Sequence, residues 1–372
     1  MRLLHTSDWH LGMPAGPGSC QEDQRFFLSQ LYEIIRRERV EAVLCAGDVY
    51  DSGSAGAEAI ALYTEAATTI CARLGVPFVV VAGNHDSAPR LAACRELLRP
   101  SGLFVTGRLT RDVEPVLLDS RTAVYPVPFF GRDEAAALFP EAEIRSMEDA
   151  CRAVCGHIRE TMDRAKRNIL LTHAFVVSAQ LSESDRSARV GFAQAVSREV
   201  FDGFDYVALG HLHRPQSISP AVRYSGSPVA YSFGEEGQQK GVVLLDTETL
   251  EQTFLPLTPL RRRRTVRDTC EAILAREDLQ NDYLRLYVTD RYAGLELFSE
   301  LQSRFPYLLE VYGKSLSQQE DASALTVEEL EKLDDMDIMK KFMAELFDYE
   351  PTKAQLDLFR EALALGGEEE SP

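Results

Sequence analysis

The chain has 372 residues, more than a single hydrophobic core usually organises, so two or three units are expected. An apolar fraction of 45% fits a water-soluble globular protein, and no run of 18 apolar residues offers a membrane span. The net charge of −18 argues against a basic nucleic-acid-binding domain, although residues 318–372 alone hold 16 acidic and 5 basic side chains. Strand-like residues begin at position 2 with no leader pattern before them, so a cytoplasmic location is expected. Seven scattered cysteines without a C-x-x-C pair read as reduced thiols, with Cys45 and Cys71 as small core residues.

Along the chain, short β-branched runs predict strands over 2–6, 42–46, 78–82, 169–172, 206–209 and 242–246. Apolar residues at helical spacing predict helices over 22–38 and 56–74. Weaker strand pairs near 114–127 and 222–226 make the sheets mixed rather than purely parallel. The class expected is α/β, a mixed β-sheet sandwich flanked by helices. The helical stretch 55–72 carries Ile60, Leu62, Tyr63 and Ile70, more than a solvent-facing helix needs. Burial against its own sheet and a two-fold interface both account for that.

A boundary falls at 256–264, where two prolines and the run Arg261-Arg262-Arg263-Arg264 interrupt the pattern. Those arginines suit either phosphate contact or a solvated hinge. A helix (267–276), a strand (283–289), a helix (295–305) and a strand (308–312) then form a small α+β unit. From Ser315 the residues are polar and read as a linker. Helices follow, opened by the capping box Thr326-Val327-Glu328-Glu329, with Met336, Met339, Phe342, Met343, Leu346 and Phe347 on one apolar face. After Pro351, a second face carries Leu356, Phe359 and Leu363. The division expected is 1–260, 261–316 and 317–372.

Five segments each follow a predicted strand at once: Asp8-Trp9-His10, Gly47-Asp48, Gly83-Asn84-His85-Asp86, His173, and Gly210-His211-Leu212-His213. Strand carboxyl ends converge on one crevice in α/β sheets, so these groups can meet. Carboxylate, imidazole and carboxamide without thiolate suit Mn²⁺, Fe²⁺ or Zn²⁺ at an open catalytic site. In D-x-H and H-x-H, residues i and i+2 of extended chain point the same way. The two remaining histidines, His5 and His157, are assigned to packing or surface. Gly313-Lys314-Ser315 is not the end of a P-loop, because Leu308 stands where its first glycine belongs, so ATP handling is left to a partner.

The order D-x-H, GD-x-x-D, GNHD, H, GH-x-H resembles the calcineurin-like metallophosphoesterase superfamily. Within it, HTSDWHLG at 5–12, GDVYDSG at 47–53, VAGNHDS at 81–87 and YSGSPVAYSFGE at 224–235 resemble the bacterial SbcD-type nuclease subunits over nearly the whole chain. The resemblance implies that residues 1–260 are a nuclease domain and 261–316 a capping domain. It implies two Mn²⁺ ions, one held by Asp8, His10, Asp48 and His213, the other by Asp48, Asn84, His173 and His211, with Asp48 bridging. His85 would be catalytic, stabilising the transition state or protonating the leaving oxygen, with Asp86 orienting its imidazole. Asp51 stands near a place where relatives often carry His. The activity implied is DNA exonuclease and endonuclease cleavage at ends and hairpins, in DNA repair, recombination and replication. The partner implied is an SbcC-type coiled-coil ATPase docked on residues 317–372, with the chain a homodimer inside a heterotetramer. A phosphatase or nucleotide phosphodiesterase with the same site, or an inactive scaffold for the ATPase, are the alternatives.

Overall fold

The computed structural model describes residues 1–16, 18–177, 179, 195–314 and 356. Met1–Tyr312 form one compact unit, and Gly313–Pro372 a second. The capping box at 326–329 and the apolar faces after it, Leu356 apart, lie outside the described residues. No described helix is long and apolar enough to cross a membrane.

The predicted strands form two facing sheets. The first runs β1 (Arg2–Thr6), β2 (Ala42–Ala46), β3 (Phe78–Val81) and β4 (Leu103–Thr106), all parallel. The second is built on β6 (Thr122–Val127), β7 (Arg167–His173) and β8 (Tyr206–Gly210), also parallel, with β5 (Val116–Leu117) antiparallel at one edge. Its other edge carries β9 (Gln216–Ser217) and β10 (Val222–Tyr224), and the first sheet is completed by antiparallel β11 (Gly241–Asp246) and β12 (Gln252–Pro256). The weak strand pairs near 114–127 and 222–226 are therefore part of what makes the sheets mixed.

Period-two alternation decides which side chain goes where. Leu3, Leu44, Val79, Ile169, Leu171 and Tyr206 fill the layer between the sheets. Leu4, Val43, Cys45, Phe78 and Val80 face the other way, onto α1 (Gln21–Arg37) and α2 (Ala57–Thr68). Leu170, Val207 and Leu209 pack outward onto α4 (Met147–Thr161), which follows the short α3 (Arg132–Leu138). Helix α1 forms because Phe27, Leu28, Leu31, Ile34 and Ile35 make one apolar stripe, with Glu22 and Asp23 in the first turn and Arg36 and Arg37 in the last, complementing the helix dipole. On α2, Leu62 and Tyr63 are buried against its own sheet, as is Ile70 just beyond it, while Ile60 is 46% exposed. All seven cysteines are free thiols, and Cys71 is half-buried rather than fully in the core. His5 is fully buried, between Tyr206 Oη at 2.9 Å and Leu209 O at 3.2 Å, and His157 pairs with Asp112 at 2.8 Å, so neither joins the crevice.

A third sheet, β13 (Arg263–Asp268), β14 (Tyr283–Tyr292) and β15 (Leu308–Lys314), packs on α5 (Cys270–Leu274) and α6 (Leu295–Arg304) through Leu284, Leu286, Val288, Leu297 and Leu301. Two expectations are corrected here. The helix expected over 267–276 is shorter, because a strand runs to Asp268 and the Thr269 hydroxyl caps the helix by accepting the Ala272 N–H. The arginine run is not a solvated hinge throughout. Arg263 is buried, donating to Ala230 O at 2.8 Å, and Arg261 donates to Asp23 Oδ2 at 2.9 Å while lying 4.1 Å over the Tyr307 ring. Asp23, 3% exposed, also accepts from Tyr283 Oη at 2.8 Å, so α1 and the third sheet are tied at one carboxylate. Asp23→Ala leaves the Tyr283 phenol short of an acceptor and takes one of two carboxylates from Arg261, which keeps Glu22; a loss of about 1–3 kcal/mol is expected, read as a lowered urea midpoint, and an unchanged midpoint contradicts the tie.

Candidate metal centre

All five motif segments sit at carboxyl ends of parallel strands: after β1, β2 and β3 in the first sheet, and at or after β7 and β8 in the second. The backbone turns sharply as it leaves them. Asp8, His10, Asp48 and His211 have φ of 53°, 42°, 49° and 107°, left-handed values that cost a side-chain-bearing residue about 1–3 kcal/mol each. Neighbouring segments offset that strain by tying to one another. Asp8 N donates to Gly47 O and His10 N to Asp48 O, both at 3.0 Å, and His211 N donates to Asp8 Oδ1 at 2.9 Å. Gly83 is required by close approach, since a Cβ there would lie 2.1 Å from Asp48 Oδ1 and 2.4 Å from Asp48 N.

The seven predicted ligands converge, in two lobes. In one, His10 Nε2 and His213 Nε2 are 3.1 Å apart, and Asp8 joins them within ligand reach. In the other, Asn84 Oδ1 lies 2.9 Å from His173 Nε2 and 3.0 Å from His211 Nδ1. Asp48 Oδ2 sits between, 3.7 Å from His10 Nε2 and 3.4 Å from His173 Nε2, while Asp48 Oδ1 accepts the His85 N–H at 2.9 Å. Asp8, His10, Asp48, His173 and His213 are all buried.

Burial alone would raise the Asp48 carboxyl, but the imidazoles around it, His173 first, hold it well below the usual carboxylate range. Burial would lower His173, yet the Asp48 charge and hydrogen bond carry it up to about 9. His211 is lowered to about 3 by burial and by facing His173. The centre therefore holds a desolvated negative charge, and pairs of imidazole nitrogens 3.1–3.2 Å apart with no hydrocarbon between them. A divalent cation there would offset that charge and draw on the ring nitrogens as ligands. The buried His10 Nδ1 has no hydrogen-bond partner and lies 3.6 Å from Asp51 Oδ1, so an outer acceptor stands ready once Nε2 is used as a ligand. The residues fit a divalent metal centre.

The arrangement around His85 differs from expectation. Its Nδ1 donates to the Asp51 carbonyl at 2.8 Å, and the Asp86 carboxylate instead accepts backbone N–H groups from Val49 (3.1 Å), Tyr50 (2.9 Å) and Gly83 (2.9 Å). Asp86 thus ties the β2 and β3 loops together, and burial, then the Asp48 charge, pushes it up to about 6. The sequence offered no way to choose between a side-chain and a main-chain partner for a carboxylate one residue from the histidine. Three further groups contribute that the motif pattern did not assign. Asp51 flanks both His10 and His85. Glu235, 1% exposed, faces His213. Gln24 on α1 donates to His10 O at 2.7 Å. Glu235 closes the 224–235 motif, and Ser232-x-x-Glu235 has the capping-box spacing that could have flagged it.

The calcineurin-like phosphoesterase family matches residues 1–215, and the type 5 capsule protein repressor C-terminal domain matches 256–346. The D subunit of nuclease SbcCD from Staphylococcus epidermidis is 29% identical over 371 residues, 98% of both chains. Its counterpart from Staphylococcus saprophyticus is 29% identical over 351 residues, 92% of each. The resemblance read from the four motifs thus extends along nearly the whole chain. Among solved structures, TT1561 of Thermus thermophilus overlaps 68% of this chain and 98% of its own, at 15% identity and a TM-score of 0.37.

Gly83→Ala should push the Asp48 carboxylate out of its place between the lobes, since neither the Asp48 backbone nor a carboxylate so tied can yield by an ångström. Elemental analysis of the folded variant is expected to show most of its divalent metal lost; a wild-type metal content would contradict the packing argument.

Proposed function

The chain belongs to the calcineurin-like phosphoesterase family, and we propose that it is a metal-dependent DNA nuclease subunit hydrolysing phosphodiester bonds at DNA ends and hairpins. The observation that carries this reading is Asp48, a buried carboxylate within 3.7 Å of imidazoles from both lobes. The relatives named nuclease subunits, matched end to end, favour nucleic acid over a phosphoprotein or a free nucleotide.

Asp8, His10, Asp48 and His213 would hold one ion and Asp48, Asn84, His173 and His211 the other, with manganese the metal proposed. Divalent ions held there would supply Lewis-acid stabilisation of the charge that builds on a phosphodiester during hydrolysis. The Asn84 carboxamide adds a ligand without adding a second negative charge to a site that must admit a phosphate. His85, its Nδ1 proton held by the Asp51 carbonyl, presents Nε2 to the substrate and serves the departing oxygen. Asp86 keeps the His85 loop against the Asp48 loop, a positioning part in place of the orienting one first expected.

The division into a nuclease domain (1–260), a capping domain (261–316) and a docking segment (317–372) for an SbcC-type coiled-coil ATPase belongs to the same proposal. So does a cytoplasmic homodimer within a heterotetramer, acting in DNA repair and recombination. The relatives' designation as one subunit of SbcCD supports a partner. The absence of a P-loop in the sequence assigns ATP use to that partner.

End-labelled duplex and hairpin DNA incubated with the protein, its ATPase partner and Mn²⁺ should be cut, and a chelator should stop it. Turnover of phosphopeptides or nucleotides with DNA left intact would favour a phosphatase or nucleotide phosphodiesterase, and no turnover by metal-loaded protein an inactive scaffold. Asp48→Ala should lose both ions by elemental analysis; two ions retained would remove Asp48 from its bridging place. His85→Gln should keep metal and DNA binding while cleavage falls about 10²–10⁴-fold, and near-normal turnover would refute its role.

A further inference from the structure

Behind the His213 ring stands a buried ion pair rather than solvent. His213 Nδ1 lies 3.3 Å from Glu235 Oε1, and the other Glu235 oxygen is 2.5 Å from Lys240 Nζ. Both partners are buried, Glu235 at 1% and Lys240 at 6% exposure. Lys240 also donates to His213 O at 2.7 Å and Ser227 Oγ at 3.0 Å, and Glu235 Oε1 accepts from Ser232 N at 3.2 Å. Sealing a carboxylate and an ammonium from water contributes little net stability that apolar residues of the same volume would not match. The hydrolysis outlined above uses neither group.

We propose that Glu235, held in place by Lys240, is a positioning residue that keeps the His213 proton on Nδ1 and turns the Nε2 lone pair to the metal centre. A neutral imidazole has one proton, and an ionised carboxylate can only accept, so Nδ1 donates and Nε2 is left as the ligand atom, 3.1 Å from His10 Nε2. His173 is served the same way by a main-chain acceptor, Ala46 O, 2.8 Å from its Nδ1. His213 lies three residues beyond the end of β8, where no strand carbonyl does that work, and the carboxylate takes its place. The segment carrying Glu235 is in turn strapped by the third sheet. Arg263 holds Ala230 O at 2.8 Å, Arg285 lies 4.4 Å over the Phe233 ring, and Thr265 N donates to Glu236 Oε2 at 3.0 Å. The aim of one metal ligand thereby depends on a sheet that contributes no ligand.

The inference rests on the dinuclear reading for its effect on metal, and the test separates the two. Long-range ¹H–¹⁵N NMR of the His213 ring in metal-free protein reads the tautomer with no ion needed. Wild type is expected to show the Nδ1–H form alone, and Glu235→Gln a mixture or the Nε2–H form. Calorimetry with Mn²⁺ should then show one of two ions bound about 10–100-fold more weakly, the other unchanged. If loss of the Glu235 charge alone keeps that variant from folding, Glu235→Gln with Lys240→Gln removes both charges together and is read in the same way. A folded variant that keeps the pure Nδ1–H form and binds both ions at wild-type affinity overturns the proposal. Wild-type protein that binds no Mn²⁺, yet loses its single tautomer in Glu235→Gln, would instead overturn the metal reading and leave the hold of Glu235 on His213 established.

Discussion

A carboxylate buried to 2% exposure and kept ionised is the demand from which the rest of this centre follows. Burial alone would drive Asp48 to its neutral form, so polar and positive groups must be brought against it. Imidazoles from two different sheets approach it, His173 at the end of β7 within 3.4 Å and His10 beyond the end of β1 within 3.7 Å. That is why two sheets must face each other with their parallel strands ending at a common edge. Gly83 at the close approach and the left-handed turns at Asp8, His10 and Asp48 are the local consequences of bringing so many polar groups to one carboxylate.

Strain at those turns is tolerable because the layers beneath them are rigid. Leu44, Val79, Ile169 and Tyr206, between the sheets, are fully buried, so the strand ends have little freedom to drift apart. Outer groups then set the direction of each imidazole: Ala46 O for His173, the Asp51 carbonyl for His85 and Glu235 for His213. The third sheet enters at this level, through the segment that carries Glu235.

Most of the framework was legible because its signals are local. Short β-branched runs found the six principal strands to within a residue or two, and the five polar segments beside their ends contain all seven side chains that converge. What stayed hidden depends on tertiary partners. Nothing in the order Asn84-His85-Asp86 distinguishes a carboxylate that faces its neighbouring ring from one that accepts main-chain N–H groups 36 and 37 residues away. Arg261 and Arg263 suited phosphate contact or a solvated hinge on sequence alone; their packing depends on Asp23, Tyr283, Tyr307 and Ala230, distant in sequence. Strand β13 was masked by the same run, since its charged residues hide the alternation. The apolar residues of α2 fitted two readings equally, and Leu62, Tyr63 and Ile70 fill their own core.

Anomalous diffraction from crystals of the protein soaked in Mn²⁺ tests the central claim most directly. Two peaks are predicted, one against Asp8, His10 and His213 and the other against Asn84, His173 and His211, with Asp48 in contact with both. A single peak, or ions bound away from Asp48, would contradict the account.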